Sequence, residues 1–456
     1  MKYLTNTEFD KLVAPYYDEF FNNLKKFVAI NSVNYGDDIS EEHPFGRGVS
    51  RALEFIKDLA IKDGFKATNY KNKVVEIIYG SGEKNITILA HADVVPEGKG
   101  WPHDPFTVRE LDGVLTGRGV ADDKGPLLET YYALKALRDN NLLGNYEIRF
   151  IVGGNEESGS LGVEYYFKEV NPKQPTLGFS PDAEWPLIYA EKGIANFRVS
   201  GELYLDNIKE IHAGLASNAV IEECVITLEK EDKELVELFK KEIKDFKVEG
   251  LSLIVRGKSA HGSTPQLGIN AALLAFNVLY KYYKDEKLKV LLDAYSDPYG
   301  NGLNANYVSP NMNNEQSSMN LGIVHFKDKH LDMIINYRFC DTCPFDEAIE
   351  NIKKASSPFE IEVLGKSNLL YYNKESALIK TLMDAYQKET GDYKTQPLAI
   401  GGGTYAKEAD NIVAFGAEFP GWDSKMHGIL EGSRKDDILK SMAIYARAIL
   451  ELGKKL

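Results

Sequence analysis

The stretch ILAHADVVPEGKGW, residues 88–101, decides how the first part of this chain folds and raises its functional question. Its apolar run Ile88–Ala90 ends at His91, Asp93 follows after one intervening residue, and a proline and two glycines then break the chain. A buried strand that finishes in this way has two explanations. Either polar residues simply cap the strand, or a rigid strand delivers a metal-ligating imidazole beside a carboxylate that orients it.

Acidic residues follow three further apolar runs of the N-terminal part. They are Asp122 and Asp123 in TGRGVADDKGP, Glu156 and Glu157 in GGNEESGS, and Asp182 in FSPDAEW. In open α/β sheets, functional groups gather at the carboxyl ends of the strands. A solvated loop explains each cluster taken singly. Taken together, so many converging carboxylates would repel one another, and a divalent cation such as zinc, manganese or cobalt would compensate that repulsion.

The periodicity around these clusters alternates between helix and strand. Helical spacing covers residues 7–30, 50–63, 126–140 and 162–170, and β-rich apolar runs cover residues 74–79, 86–90, 147–152 and 176–179. This alternation predicts an α/β fold in which helices cover a sheet.

The pattern changes after about Gly193. The segments NFRVSGELY, LSLIVRGKS and HLDMIINYRF alternate apolar and polar residues, which predicts half-exposed antiparallel strands, whereas LVELFKKEIKDF and INAALLAFNVLYKYY predict helices. The α/β pattern returns from about Ala377. We therefore predict a discontinuous first domain, residues 1–192 and 376–456, with an α+β domain, residues 193–375, inserted into it.

Composition limits the partners of the protein. The chain has 456 residues and a formal net charge of −14, which argues against nucleic acid or an anionic membrane as a partner because both favour a basic face. The N-terminal residues show no signal-peptide pattern. No run approaches the roughly 18 apolar residues that a membrane span needs.

The three cysteines are too few for a disulfide framework and suit a reducing compartment, so we expect a cytoplasmic protein. Cys340 and Cys343 form a CxxC pair in FCDTCP. A redox or zinc role is the alternative interpretation of this pair. A zinc knuckle needs a second pair of ligands, however, and only Cys224 remains, so we assign the pair no chemistry.

The segments HADVVP, GRGVADDKGP, NEESGS and SPDAEWP resemble the successive signatures of the co-catalytic zinc peptidases, the family that includes aminoacylase, carboxypeptidase G and the bacterial dipeptidases. GKSAHGSTPQLGINA, GGGTYAK and SKMHG extend the resemblance through the whole chain. The DDKGP form, the GGGTYA segment and the long insertion favour the branch of bacterial dipeptidase V. The resemblance implies a mixed-sheet zinc-peptidase catalytic domain of the α/β class with an inserted α+β lid domain.

The resemblance also implies a metal centre. His91, Asp122 and Asp182 would hold one ion, while Asp122, Glu157 and His427 would hold a second, so that Asp122 bridges the pair. The expected cofactor is two divalent ions per chain, Zn²⁺ in the first place, with Mn²⁺ or Co²⁺ as alternatives. Paired ions at roughly 3.5–4 Å lower the pKa of water and polarise a scissile carbonyl.

Two further acidic residues receive roles from the resemblance. Asp93 would orient His91, as ligating imidazoles usually require, and Glu156 would be the general base. The adjacent carboxylates of Glu156 and Glu157 can divide the work, because one can ligate while the other keeps a free oxygen for the proton. In the family, the peptide bond after the bridging aspartate is cis, which here is Asp122–Asp123.

The inserted domain is expected to supply substrate contacts. His261, in GKSAHGSTP, matches the family histidine that stabilises the tetrahedral oxyanion, and Arg338, in NYRFC, matches the arginine that pairs with the substrate's carboxylate. Asn218, in LASNAV, would be the lid asparagine. A further substrate-binding loop with a bare backbone consists of Gly401, Gly402, Gly403 and Thr404. A phosphate loop is the competing interpretation of these glycines, but no GK[ST] follows them.

These expectations combine into a metal-dependent dipeptidase that acts on small peptides, with Asp93, Glu156 and His261 in catalysis. An N-acyl amino acid deacylase or a carboxypeptidase on the same scaffold is the first alternative. A non-catalytic metal-dependent binding protein is the second, although the expected base and ligands are all present. In the dipeptidase V branch the inserted lid is long enough to supply this histidine within one chain, and the insertion here is about that long, so the resemblance implies a monomer, with a dimer as the alternative.

Overall fold

The computed structural model describes residues 3–36 and 38–456, which form two compact units. The first unit contains the described residues up to Ala190 together with Tyr372–Leu398 and Thr404–Leu456, and the second contains Glu191–Tyr371 and Ala399–Gly403. The sequence-based domain boundaries after residues 192 and 375 stay a prediction.

In the described part of the N-terminal segment there are five α-helices and nine strands, and a π-helix, Tyr166–Val170, continues the last of these helices. The helices are α1 (Glu8–Val13), α2 (Tyr17–Val28), α3 (Arg47–Lys62), α4 (Lys124–Asp139) and α5 (Leu161–Tyr165). The strands are β1 (Lys66–Tyr70), β2 (Val74–Tyr79), β3 (Asn85–His91), β4 (Arg109–Leu111), β5 (Val114–Thr116), β6 (Glu147–Gly153), β7 (Leu177–Ser180), β8 (Ala183–Glu184) and β9 (Ile188–Glu191). The prediction of one helix over residues 7–30 was wrong in one respect. A 3₁₀ turn at Ala14–Tyr16 separates α1 from α2, because Pro15 has no N–H to continue the helical hydrogen bonds.

The middle segment is richer in strands. Its strands are β10 (Gly193–Glu202), β11 (Ile208–Ala213), β12 (Glu223–Leu228), β13 (Phe246–Glu249), β14 (Ser252–Arg256), β15 (Val308–Ser309), β16 (Glu315–Gln316), β17 (Ser318–Lys327), β18 (His330–Phe339), β19 (Glu360–Ser367) and β20 (Leu370–Tyr371). Its helices are α6 (Lys233–Glu242), α7 (Ala271–Tyr283), α8 (Glu286–Tyr295) and α9 (Phe345–Ser356).

The C-terminal segment completes the first unit. It consists of helices α10 (Ala377–Thr390) and α11 (Lys435–Gly453) and of strands β21 (Leu398–Ile400), β22 (Ile412–Ala414), β23 (Ala417–Glu418) and β24 (Gly432–Arg434). Residues 124–137 of α4 are all buried, and α4 packs against α2 and α11.

The main sheet of the first unit has the strand order β1-β2-β6-β3-β7-β22-β9. β3 runs parallel to β6 and β7, and β22 runs parallel to β7, whereas β1, β2 and β9 pair in the antiparallel direction. The predicted mixed-sheet α/β class is therefore confirmed. Because β3, β6 and β7 are parallel neighbours, their carboxyl ends lie at one edge of the sheet, where ligand sites of open α/β sheets form.

The second unit is built on an antiparallel sheet with the order β13-β14-β12-β11-β17-β18-β10-β19. Burial alternates along β10, as expected of strands with one face on a core. α7 packs on β12 and β14, α8 packs on β17, and α9 packs on β19. Across both units, no helix in the described ranges combines the length and apolar character that crossing a bilayer requires.

Candidate active site

Three parallel strands bring the first predicted ligands to one edge of the main sheet. His91 is the last residue of β3 and lies in register with Gly153, the last residue of β6. Glu156 and Glu157 follow β6 directly, and Asp182 follows β7. Since the three strands are adjacent, polar groups that are far apart in the chain meet at this edge.

Asp122 lies between two imidazoles. Its Oδ1 is 3.0 Å from Nε2 of His91, and its Oδ2 is 2.8 Å from Nε2 of His427. The carboxylate therefore presents one oxygen to each histidine, which is the arrangement that a bridging ligand needs. The peptide bond between Asp122 and Asp123 is cis, as the resemblance implied.

The remaining predicted ligands lie next to these imidazoles. Nε2 of His91 is 3.7 Å from Oδ2 of Asp182, and Nε2 of His427 is 3.3 Å from Oε1 of Glu157. Ligand atoms of His91, Asp122 and Glu157 all lie within 4.8 Å of one another, and so do those of His91, Glu156 and Asp182. The structure thus brings together every residue for which the sequence predicted a metal-ligating role.

Asp93 is almost completely buried and contacts both His91 and the loop that carries Glu156 and Glu157. Nδ1 of His91 lies 3.0 Å from the backbone carbonyl oxygen of Asp93 and 3.4 Å from its Oδ1, and the orienting role of the carboxylate stays a prediction. Its two oxygens also accept the backbone N–H groups of Glu156 and Glu157, at 3.0 and 3.1 Å. One side chain therefore fixes both the end of β3 and the loop after β6.

The two histidines sit in a strongly acidic environment. Burial disfavours the charged form of His91, but the carboxylates of Asp182 and Asp122 outweigh it and raise the pKa of His91 well above its usual range. Burial also opposes the charge on His427, yet its contacts with Asp122 and Glu157 raise its pKa to about 11. Both imidazoles thus experience a strong local excess of negative charge.

The same excess of negative charge raises the pKa values of the carboxylates in the cluster. Burial, reinforced by Asp182, raises the pKa of Glu156 well above its usual range, and burial together with Asp122 raises the pKa of Glu157 to about 7. Oε1 of Glu157 is buried, and its 3.3 Å contact with Nε2 of His427 lacks hydrogen-bond geometry. Two imidazoles, an orphaned carboxylate oxygen and mutually repelling carboxylates form a donor set that fits divalent cations.

Sequence reasoning missed a buried ion pair that supports two of the predicted ligands, Asp122 and His427. Arg118 pairs with Glu431, and both side chains are almost completely buried. Oε1 of Glu431 also accepts the backbone N–H groups of Gly119, Ala121 and Asp122 at 3.0–3.1 Å. Arg118 in turn donates to the carbonyl oxygens of Pro96 and His427. The available signal was a glutamate four residues after His427.

Two other buried groups in contact with His91 were also missed. Oδ2 of Asp123 accepts the backbone N–H of His91 at 3.0 Å. The ring of Tyr405 meets the imidazole of His91 edge-on, with 6.0 Å between the ring centroids. Asp123 stands beside a predicted ligand and Tyr405 follows the glycine loop, but adjacency in sequence did not reveal either contact.

The residues predicted to contact the substrate lie mostly in the second unit, and their roles stay predictions. Arg338 is 3% exposed, and its guanidinium donates to Oδ1 of Asn336 and to the carbonyl oxygen of Gly401. His261 and Asn218 are exposed. Nδ1 of His261 lies 2.6 Å from Oγ of Ser263.

The glycine loop spans both units, with Gly401–Gly403 in the second and Thr404 in the first. A Cβ on Gly401 would lie 2.7 Å from Cβ of Ser263, so only glycine permits this approach. Thr404 Oγ1 accepts the N–H of Ala406 and begins a 3₁₀ turn. The loop is therefore shaped by close backbone packing within the second unit.

Burial works against reactivity of the CxxC pair. All three cysteines are free. Burial raises the pKa of Cys340 to about 11, and burial also raises the pKa of Cys343. Since the thiolate is the reactive and metal-binding form, the environment disfavours the redox and zinc interpretations.

The sequence matches the model of Peptidase family M20/M25/M40 over residues 87–451. The chain belongs to this family. Proteins of Staphylococcus saprophyticus and Bacillus subtilis (strain 168), each named "putative dipeptidase", are 32% identical to this M20/M25/M40 member over 467 and 460 residues. Each alignment covers 96% of this chain and 98% of the relative.

Solved structures carry the same fold as this M20/M25/M40 peptidase. The M20 family metallo-carboxypeptidase Sso-CP2 from Sulfolobus solfataricus has a TM-score of 0.59 at 18% identity. The match covers 96% of this chain and all of that one. Family membership makes the chain a metal-dependent peptidase, and the His91–Asp122 cluster supplies donors suited to a divalent ion.

Proposed function

We propose that this M20/M25/M40 peptidase is a metal-dependent dipeptidase that hydrolyses free dipeptides. The observation that carries the proposal is Asp122 held between His91 and His427, with the carboxylate of Glu156 in the same cluster. The names of the two bacterial relatives support the choice of dipeptides over N-acyl amino acids or longer peptides.

The proposed cofactor is a pair of divalent ions, with zinc as the first choice and manganese or cobalt as alternatives. His91, Asp122 and Asp182 hold one ion. Asp122, Glu157 and His427 hold the other. When bound, the ions lower the pKa of a water molecule and polarise the carbonyl of the scissile bond.

Glu156 is the proposed general base. Its backbone N–H donates to Oδ1 of Asp93, and its carboxylate lies in one cluster with His91 and Asp182. A general base needs a positioned carboxylate within reach of the attacking water. Glu156 accepts a proton from the attacking water and then passes it to the leaving amine.

The second unit contributes the substrate-recognition groups of the proposal. Arg338 pairs with the C-terminal carboxylate of the dipeptide, and His261 stabilises the oxyanion of the tetrahedral intermediate. Asn218 and the loop Gly401–Thr404 contact the substrate backbone. We further propose a cytoplasmic monomer whose partner is the small peptide alone, without nucleic acid or membrane.

A substrate panel tests the reaction. Metal-stripped protein is titrated with zinc and separately with manganese, and hydrolysis is measured on free dipeptides, tripeptides and N-acetyl amino acids. The proposal expects dipeptide hydrolysis to return with about two ions per chain. Hydrolysis of N-acetyl amino acids in preference to dipeptides would contradict the proposal and indicate a deacylase. Metal binding without any hydrolysis would contradict it and indicate a binding protein.

A variant tests the base. Glu156→Ala should lower kcat by about 10²–10⁴-fold, the usual contribution of a general base, while metal content stays at the wild-type level. The exposed Glu164, which pairs with Lys168 on the surface, offers Glu164→Ala as a matched control with unchanged kcat. Near-normal turnover by Glu156→Ala would remove Glu156 from the mechanism.

A further inference from the structure

Three asparagines form a row across the sheet of the second unit. Asn336 on β18 lies in register with Asn196 on β10 and, on its other side, with Asn320 on β17. Residues opposite one another in antiparallel strands point to the same face of the sheet. Asn336 and Asn320 are only 1% and 2% exposed. Buried amides need hydrogen-bond partners. The partners of Asn336 and Asn320 include, or lie next to, residues predicted to contact the substrate.

One end of the row holds Arg338. Nδ2 of Asn336 donates to Oδ1 of Asn196 at 2.9 Å, and Oδ1 of Asn336 accepts Nε of Arg338, also at 2.9 Å. A side-chain amide has donors at one end and an acceptor at the other. Asn196, by accepting from the donor end, therefore fixes the acceptor end of Asn336 against the guanidinium. Gly401 holds the guanidinium at a second point through its carbonyl oxygen.

The guanidinium of Arg338 is buried, with 3% of the residue exposed. Among the residues that the structure describes, no carboxylate forms an ion pair with it. Both hydrogen bonds described for it go to neutral oxygens. A buried cation without a partner is costly, so the arrangement favours an incoming anion such as a carboxylate.

The other end of the row holds the segment next to His261. Nδ2 of Asn320 donates to the carbonyl oxygens of Ser217 and Ala219, at 2.8 and 2.9 Å, and so clamps the chain on both sides of Asn218. Ala219 in turn pairs with His261 in an antiparallel bridge. A single buried amide thus fixes the backbone that carries one predicted substrate contact and adjoins another.

We propose that this asparagine row positions the substrate-recognition groups of the proposed dipeptidase. Asn196 and Asn336 set the guanidinium of Arg338 for the carboxylate of the substrate, and Asn320 sets the Asn218–His261 backbone for the chemical step. The inference rests on the proposed function and deepens it, because it assigns carboxylate recognition and turnover to opposite ends of one row.

The test separates the two ends by kinetics on a dipeptide and on its C-terminal amide, which lacks the carboxylate. Asn336→Leu and Asn196→Ala should raise KM for the dipeptide about tenfold, leave kcat within about twofold, and reduce the preference for the dipeptide over the amide. Asn320→Leu should lower kcat about tenfold and leave that preference unchanged. Asn196→Asp keeps the acceptor for Asn336 and should restore the wild-type KM.

Two reference variants complete the set. Arg338→Met should lose the preference for the carboxylate. Asn351→Leu makes the same change as Asn336→Leu on α9, where the side chain is half-buried and donates to the carbonyl oxygen of Asn304, and should behave as wild type. Thermal unfolding checks the fold of each variant. If Asn336→Leu does not fold, the half-buried Asn196 carries the test through its alanine and aspartate variants.

The outcomes distinguish this inference from the function on which it rests. A wild-type protein that hydrolyses no dipeptide overturns the proposed function and the inference with it. The inference alone would be overturned by the following result. The wild type prefers the dipeptide over its C-terminal amide and Arg338→Met does not, but the Asn336 and Asn196 variants keep the wild-type KM. An Asn320→Leu variant with wild-type kcat would remove that end of the row from the proposal.

Discussion

Replacing Glu431 by Gln should weaken both the fold and the metal site of the first unit. In the wild type, Oε1 of Glu431 accepts three backbone N–H groups of the segment 119–122, and the carboxylate pairs with Arg118. The amide keeps one oxygen for the N–H donors but turns its NH₂ group toward the guanidinium. Arg118, whose side chain is 1% exposed, would then be a buried cation without its anion.

The expected loss follows from that burial. Removing one partner of a buried ion pair costs about 3–5 kcal/mol, because the remaining charge is left without compensation. Part of the loss should appear in metal binding, since Glu431 fixes the backbone of Asp122 and Arg118 fixes the carbonyl oxygen of His427. Groups that support metal ligands usually contribute 10–100-fold to metal affinity, and we expect a decrease in that range.

Two assays check these values. Denaturant unfolding of the metal-free protein measures the lost stability, and competition with a chromophoric chelator measures metal affinity. The double variant Arg118→Met/Glu431→Gln removes both charges and should recover much of the stability. Glu362→Gln, in an exposed pair with Arg198, is the matched control, and exposed pairs contribute about 0–1 kcal/mol. Wild-type stability and metal affinity in Glu431→Gln would refute the reasoning.

Three further predictions concern the cluster and the cysteines. Treatment with a chelator should abolish hydrolysis, and zinc or manganese should restore it, as activity assays before and after dialysis would measure; activity that survives complete metal removal would contradict the metal dependence. Asp122→Asn should lose most bound metal and turnover, because both imidazoles face its carboxylate, and elemental analysis with two tightly bound ions would count against bridging. The double variant Cys340→Ser/Cys343→Ser should keep wild-type kcat and metal content, since burial raises the pKa of both thiols; a loss of metal would revive the zinc interpretation.

The sequence predicted the sheet edge because strand ends carry a local signal. The apolar run before His91 and the run before Glu156 are short, β-rich and followed by glycine or polar residues, and the structure places both ends side by side. The alternating segment at residues 330–339 likewise forms β18 over the same bounds. Patterns of this kind report which face of a strand is buried, and they need no knowledge of distant residues.

The supports of the site left no comparable signal. Glu431 accepts backbone N–H groups that precede it in the chain by 309 to 312 positions. The row of asparagines exists only through the pairing of β10, β17 and β18. A single asparagine in a strand is unremarkable, and its meaning depends on which residues the register places opposite it. The partners of buried polar groups therefore became visible only with the tertiary structure.

The carboxylates around the cluster divide into two kinds according to the donors that they meet. Those that accept backbone N–H groups are Asp93, Asp123 and Glu431. Those whose described contacts include no backbone N–H donor are Asp122, Glu156, Glu157 and Asp182. A carboxylate whose two oxygens accept fixed N–H groups, as those of Asp93 do, has little left to offer an ion, whereas one that faces only imidazoles and other carboxylates keeps its oxygens available. Asp123 is intermediate, because its Oδ2 accepts one N–H group and its buried Oδ1 has no hydrogen-bond partner in the described chain. For Asp93 and for the four carboxylates without N–H donors, the division agrees with the roles proposed from the sequence, whereas Asp123 and Glu431 received no role there.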